Sequence, residues 1–174
     1  MTSNCKFIAL FIISAIFYGC GNYSFTGASI PEGTETFQVN FFENQAGNSM
    51  GSIFEPGLDR DFTIALQDIL QNQTNLQLVN SDGDLLYEGE ITEYRISPTT
   101  ATSGNTAAQN RLSISVNVRF FNIKDPEQDL EQRFSFFYDY AGSDQLIGAQ
   151  KDVAHQAIFE RLTQDIFNAT LAKW

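Results

Sequence analysis

Cys20 is the first residue whose type and setting point to a reaction. It follows Gly19 at the end of an apolar run, Phe7 to Tyr18, and a thiol there can act as a nucleophile and be alkylated. The chain holds two cysteines, and Cys5 lies upstream in the same leading segment. Removal of that segment leaves Cys20 alone, so neither a disulfide framework nor a cysteine metal site can be built within one chain.

The other reactive side chains lack company. His155 is the only histidine. It sits between Ala154 and Gln156 in a helical pattern and reads as a surface or boundary helix residue. Nucleophilic catalysis needs a nucleophile beside a base, and neither a Cys–His pair nor a Gly-x-Ser-x-Gly turn is offered. Asp82-Gly83-Asp84 shares two carboxylates with calcium loops but lacks the remaining ligand spacing, so it reads as a turn. No Gly-rich phosphate cradle precedes a helix. The expectation is no enzyme, no cofactor and no metal.

Three arginines remain as groups with recognition chemistry. Arg95 ends one strand pattern and Arg111 begins the next, so the two flank the loop between them; Arg119 lies further along the second strand. Two readings stay open. They pair as solubilising charge with Glu90 or Glu93, or they form a small site for a phosphorylated ligand, which a planar guanidinium grips with two bonds.

Charge narrows the partners. Ten basic residues face twenty-one acidic ones, for a net charge of −11. Lys6 is the only charge among the first nineteen residues, so the remainder is near −12. No cluster of Lys or Arg exists to displace counterions from phosphates, which excludes nucleic acid. A flat hold on an anionic membrane through a basic face is excluded for the same reason.

The leading segment has Lys6 as its positive start and an apolar run of about twelve residues, the length of an export signal and short of the ~20 residues needed to span a bilayer. Gly19-Cys20 resembles the bacterial lipobox, with Phe17 standing where Leu is usual. There the cysteine thiol takes a diacylglycerol and becomes the new N-terminus. The expectation is a signal peptide over 1–19, a lipidated tether over 20–34 and one domain over 35–174. Two or three acyl chains, at about 0.8 kcal/mol per buried methylene, hold such a protein to its membrane. Gly21-Asn22-Tyr23-Ser24 carries no acidic residue, so the default location is the outer membrane, facing the periplasm.

The domain is long enough for a core, and 43% of the chain is hydrophobic with sixteen Phe. Thr36 to Phe42 alternates, with Phe37, Val39 and Phe41 on one face, and reads as a strand. Pro56, at a first helical turn, begins a helix over 56–72, with Asp59 and Asp61 suiting its dipole. Leu76 to Val79 forms a short strand before the turn at 80–84. Leu85 to Ile96 is a strand with a bulge expected at Gly89. Pro98 to Asn110 is a long polar loop. Arg111 to Ile123 is the clearest strand, with Leu112, Ile114, Val116, Val118 and Phe120 inward. Leu130 to Tyr140 follows, with Phe134, Phe136, Tyr138 and Tyr140 on one face. A helix over 145–172 closes the chain. Phe42, Phe121 and Phe137 add apolar area to faces expected to meet solvent unless the second helix covers them. The order strand-helix-strand-strand-strand-helix predicts an α+β two-layer sandwich, with two helices packed on one face of a mostly antiparallel four-stranded sheet.

The sequence resembles the LPS-assembly lipoprotein family (LptE), in its Bacteroidetes form. The resemblance is carried by GCGNYSFTGASIPEGTETFQVNFFENQA (19–46), GDLLYEGEITEYRISP (83–98), NRLSISVNVRFFN (110–122) and QDIFNATLAKW (164–174). It implies a non-enzymatic lipoprotein of the outer membrane that sits as a plug in the large β-barrel LptD, assists its assembly and helps deliver lipopolysaccharide to the surface. A wide barrel has a polar lumen, which polar strand faces and the loop at 98–110 would fill. The resemblance assigns no role to Arg95, Arg111 or Arg119, whose candidacy rests on position. A periplasm-facing lipoprotein that binds a small hydrophobic or glycan ligand is the competing reading. A lipid-anchored hydrolase is a third, and the missing nucleophile motifs speak against it.

Overall fold

The computed structural model describes residues 30, 32–99, 109–141 and 146–172. The signal peptide, residues 20–29 and 31 of the tether with Cys20 among them, and residues 100–108 of the expected loop lie outside them.

Six strands and two long helices build the domain in chain order: β1 (Thr36–Val39), β2 (Glu43–Asn44), α1 (Leu58–Gln73), β3 (Gln77–Leu78), β4 (Leu85–Pro98), β5 (Gln109–Asn122), β6 (Leu130–Ala141) and α2 (Gly148–Leu171). They form one sheet of order β3-β1-β4-β5-β6, with β2 alongside β4. The class is α+β as expected, but the sheet is mixed and six-stranded rather than mostly antiparallel and four-stranded. β1 runs parallel to both β3 and β4, and β2 runs parallel to β4. The physical reason is α1. A strand followed by a helix that recrosses the sheet returns the chain in its original direction, which makes the next strand parallel.

β4, β5 and β6 form an antiparallel meander. Alternation works as expected along β5: Leu112, Ile114, Val116 and Val118 are fully buried under the helices. α2 lays a stripe of Ala154, Ile158, Leu162, Ile166 and Leu171 on that face. α1 adds Leu58, Phe62, Leu66 and Leu70. Within this core Tyr87 Oη and Thr170 Oγ1 lie 3.0 Å apart, so the buried hydroxyls satisfy one another.

Three local expectations are corrected. β1 stops at Val39, and Phe42 rather than Phe41 turns inward: Phe41 is 61% exposed and Phe42 is fully buried. Gly89 is not a bulge. It pairs regularly with Val118, and the register shift falls between Ile91 and Glu93. Gly89 is instead a site of close approach. A Cβ there would lie 2.0 Å from the Asn117 carbonyl oxygen and 2.8 Å from Phe42 Cε1, so the missing side chain is what admits the Phe42 ring. Pro56 lies just before α1, whose cap is Gly57 at φ 81°, a left-handed conformation that glycine adopts without a Cβ penalty.

Asp84 fixes the point where the chain enters the sheet. Its Oδ2 accepts the backbone N–H groups of Glu35 and Thr36 at 2.9 and 3.0 Å, and its Oδ1 meets Lys124 Nζ at 3.0 Å. Lys124 Nζ also donates to the Gly33 carbonyl. These contacts tie residues 33–36 to the lower end of β4. The opposite end of β4 lies about 43 Å away at roughly 3.3 Å per residue.

Candidate functional site

The helices cover one face of the sheet, and the face of β4–β5–β6 turned away from them is built mainly of polar residues, with Leu86, Phe121 and Phe137 among them. Cross-strand register decides its contacts. Arg119 stands opposite Glu88, and Asn117 opposite Glu90. Arg119 donates from Nε to Glu88 at 3.1 Å and from Nη1 to Glu90 at 2.9 Å. Asn117 Nδ2 donates to the other oxygen of Glu90 at 3.1 Å. The two carboxylates, Glu90 foremost, hold the Arg119 guanidinium protonated above its already high range.

Arg95 and Arg111 occupy the same face toward its upper end. Arg95 Nε lies 2.9 Å from Glu93 Oε1, and its Nη2 donates to the Met50 carbonyl at 3.1 Å. Glu93 also receives Arg133 Nη2 at 2.8 Å. Arg111 forms a two-pronged pair with Asp139, at 2.7 and 2.9 Å, and stacks 3.6 Å over the Phe137 ring. That pairing lowers the Asp139 pKa.

The sheet therefore puts Arg95 and Arg111 on neighbouring strands but does not bring Arg119 to them. Eight residues along β5 separate Arg119 from Arg111, about 26 Å. Each of the three meets a carboxylate of its own. The aromatic residues expected on solvated faces divide: Phe42 belongs to the core, Phe121 is half-buried, and Phe137 is 44% exposed beneath Arg111. The second helix does not cover this face. It packs on the other.

The helix side carries a second feature. A groove of about 770 Å³ runs between α1 and α2. His155 lies in its wall with Nε2 3.0 Å from Tyr94 Oη, a boundary helix position as expected. Burial pushes the His155 pKa below its ordinary value. Four carboxylates rim the groove: Asp61, Asp68, Asp152 and Glu160. The sequence reading gave Asp61 only a helix-dipole role and assigned none to Asp68, Asp152 or Glu160. The available signal was spacing: seven residues separate Asp61 from Asp68 and eight separate Asp152 from Glu160, which places each pair on one helix face.

Among the described residues no group of three His, Cys, Asp or Glu side chains is placed to hold a metal ion. Nor does any helix among them have the length and apolarity to cross a membrane. What the geometry offers is surface for recognition.

The fold defines a helix-layered α+β domain that recurs in solved structures. A hypothetical protein from Chlamydia trachomatis shares it at 12% identity and TM-score 0.55, covering 80% of this chain and 99% of that one. A protein from Xanthomonas campestris shares it at 10% identity and TM-score 0.52, covering 81% and 86%. Uncharacterized lipoprotein B from Nitrosomonas europaea shares it at 13% identity and TM-score 0.50, covering 86% and 88%. No curated protein matches the chain in sequence.

The profile of one family, LptE, described as lipopolysaccharide-assembly, matches residues 34–170. This chain belongs to that family. Its general role is accordingly in lipopolysaccharide assembly.

Proposed function

We propose that this protein is an outer-membrane lipoprotein, anchored through Cys20 and facing the periplasm, that serves as plug and assembly partner of an LptD-like β-barrel in lipopolysaccharide transport. Membership of the lipopolysaccharide-assembly family over 34–170 carries the reading. The open sheet face supports it. A barrel of that width holds a polar lumen, and a plug inside it needs a polar, well-ordered surface. Ion pairs such as Arg119 with Glu88 and Glu90 give that face fixed charges of both signs. A bound lumen wall or lipopolysaccharide phosphate would have to exchange with these pairs, and Arg95, Arg111 and Arg119, with Arg133 beside them on the same face, are cations available for it.

The tether geometry fits the same role. Asp84 and Lys124 pin the entering chain at one end of β4, so a lipid on Cys20 would leave the opposite end free to reach into a barrel. The test is a pull-down of the tagged full-length lipoprotein from outer membranes in mild detergent, with mass spectrometry. A stoichiometric barrel partner is the expected result. A clean preparation without a barrel would overturn the plug reading and favour a free lipoprotein that binds a small hydrophobic or glycan ligand.

A further inference from the structure

We propose that the groove between α1 and α2 is a docking site for a basic amphipathic segment of a partner protein, one that places an apolar side chain between Lys or Arg residues. Two independent features define this chemistry. The floor carries the apolar side chains Ala65, Ile69 and Phe159, among neutral amides and a hydroxyl such as Gln156 and Thr163. The rim is acidic, with Asp61 and Asp68 on one side and Asp152 and Glu160 on the other.

No Lys or Arg lines the groove among the described residues, and His155 in its wall has its pKa lowered by burial. The cations of the two helices are engaged elsewhere or meet the rim once. Lys151 donates to Glu55 at 2.6 Å, Arg161 pairs with Asp165 at 3.0 Å, and Arg60 meets Asp61 alone at 2.8 Å. The rim is thus left with a net negative field, in a chain that is itself strongly acidic. An anionic lipid surface is repelled by it. A bare cation would leave the floor in water, and a neutral apolar ligand would leave the negative charge of the rim uncompensated, since Arg60 meets only Asp61 and Glu160 accepts only from the neutral Gln156 amide. A segment carrying both kinds of side chain satisfies both.

The walls are held at a fixed spacing. At one end Gln73 Nε2 donates to Gln164 Oε1 at 2.8 Å across the helices. Toward the other end the Phe62 and Phe159 rings meet edge to face at 5.6 Å beneath the groove. Such a site is formed before its ligand arrives, which lowers the ordering cost of binding. It lies on the face opposite the open sheet, so its occupant and a partner against the sheet need not compete. The proposal therefore stands independently of the plug reading.

The test uses the full-length lipoprotein in neutral detergent and a fluorescein-labelled twelve-residue peptide of alternating Leu and Lys. Anisotropy is measured against protein-free micelles. Saturable binding that weakens with added salt is expected. The triple variant D68N/D152N/E160Q should bind about tenfold more weakly or worse, from three partly exposed charge contacts. A charge-matched control at the tether end, E32Q/D82N/E127Q, should bind as the parent does. Ala65→Lys, which puts a cation of the chain's own on the floor, should also lose the peptide. Absence of binding above the micelle blank would overturn the proposal. So would equal weakening by the control variant, which would mean attraction to net charge alone, or equal binding of a Ser–Lys peptide, which would mean that the floor plays no part.

Discussion

Tyr94 and His155 meet at the boundary between sheet and helix, with the tyrosine hydroxyl 3.0 Å from His155 Nε2 and the two rings edge to face at 5.6 Å. Burial lowers the His155 pKa, with Glu55 and Asp152 opposing it and Lys151 adding to it. The sign follows from linkage. The unfolded chain takes up the proton first, near the ordinary value of 6.5, so stability is full above that pH and falls as pH drops toward the folded value. Urea midpoints should decline between pH 7.5 and 5.5, and His155→Gln should flatten that decline. A parallel decline in the variant would assign the effect to other groups.

The Tyr87–Thr170 pair lies in the core, and burial raises the Tyr87 pKa, which keeps the phenol neutral. Thr170→Val leaves the Tyr87 hydroxyl without its partner and should cost about 1–3 kcal/mol. Tyr87→Phe should cost less, because Thr170 Oγ1 still donates to the Ile166 carbonyl at 2.9 Å. The double variant should then be more stable than the sum of the two predicts, which a denaturant double-mutant cycle reads directly.

Gly89→Ala tests the close approach in β4. The added methyl would fall 2.0 Å from the Asn117 carbonyl oxygen and 2.8 Å from the Phe42 ring, and both neighbours are fixed, one by the β4–β5 ladder and one by the core. A loss of about 3 kcal/mol or more is expected. Gly47→Ala, whose Cβ would meet Phe54 Cβ at 3.3 Å, should be far milder in the same urea titration.

The elements legible in the sequence were those with sustained periodicity. β5 and α2 have long runs whose burial follows their apolar pattern, and both helices lie where expected to within a few residues. The direction of β1 was not legible from its own residues, because a four-residue strand with Phe37 and Val39 inward reads alike in parallel and antiparallel pairing. Phe41 and Phe42 show a similar limit. Alternation favoured Phe41, and the space opened by Gly89 on the next strand decided for Phe42. The pairing of Arg119 with Glu90 was among the readings of the sequence, whereas the role of Asp84 depended on residues 48 and 49 positions away. The groove acids escaped notice as a group because a carboxylate on a helix surface is ordinary until a second helix is set beside it.

Asp84 should prove to be the clamp on the tether. Its carboxyl is held well below its usual range, first by the Glu35 backbone N–H and then by Lys124, so its contribution is full above the unfolded value and is lost as pH falls through the folded one. Asp84 is partly exposed, which limits the energy involved. Asp84→Asn should cost about 1 kcal/mol, with a larger effect on local opening than on global stability. Limited proteolysis checks this: cleavage near residues 30–36 should accelerate in the variant while the denaturant midpoint moves little.

Ser135→Trp separates folding from partnership on the open sheet face. Ser135 is exposed at the middle of β6, and its Oγ accepts from Ser115 Oγ at 3.0 Å. An exposed substitution of this kind should shift stability by only about 0.5 kcal/mol, since Ser115 Oγ retains Glu93 within hydrogen-bond reach at 3.0 Å. The indole, however, would stand out from a face otherwise levelled by paired side chains. If that face lies against a barrel wall, the variant should fold with an unchanged melting temperature and recover much less barrel in the pull-down. Undiminished recovery would mean that a barrel partner, where present, is held through some other surface.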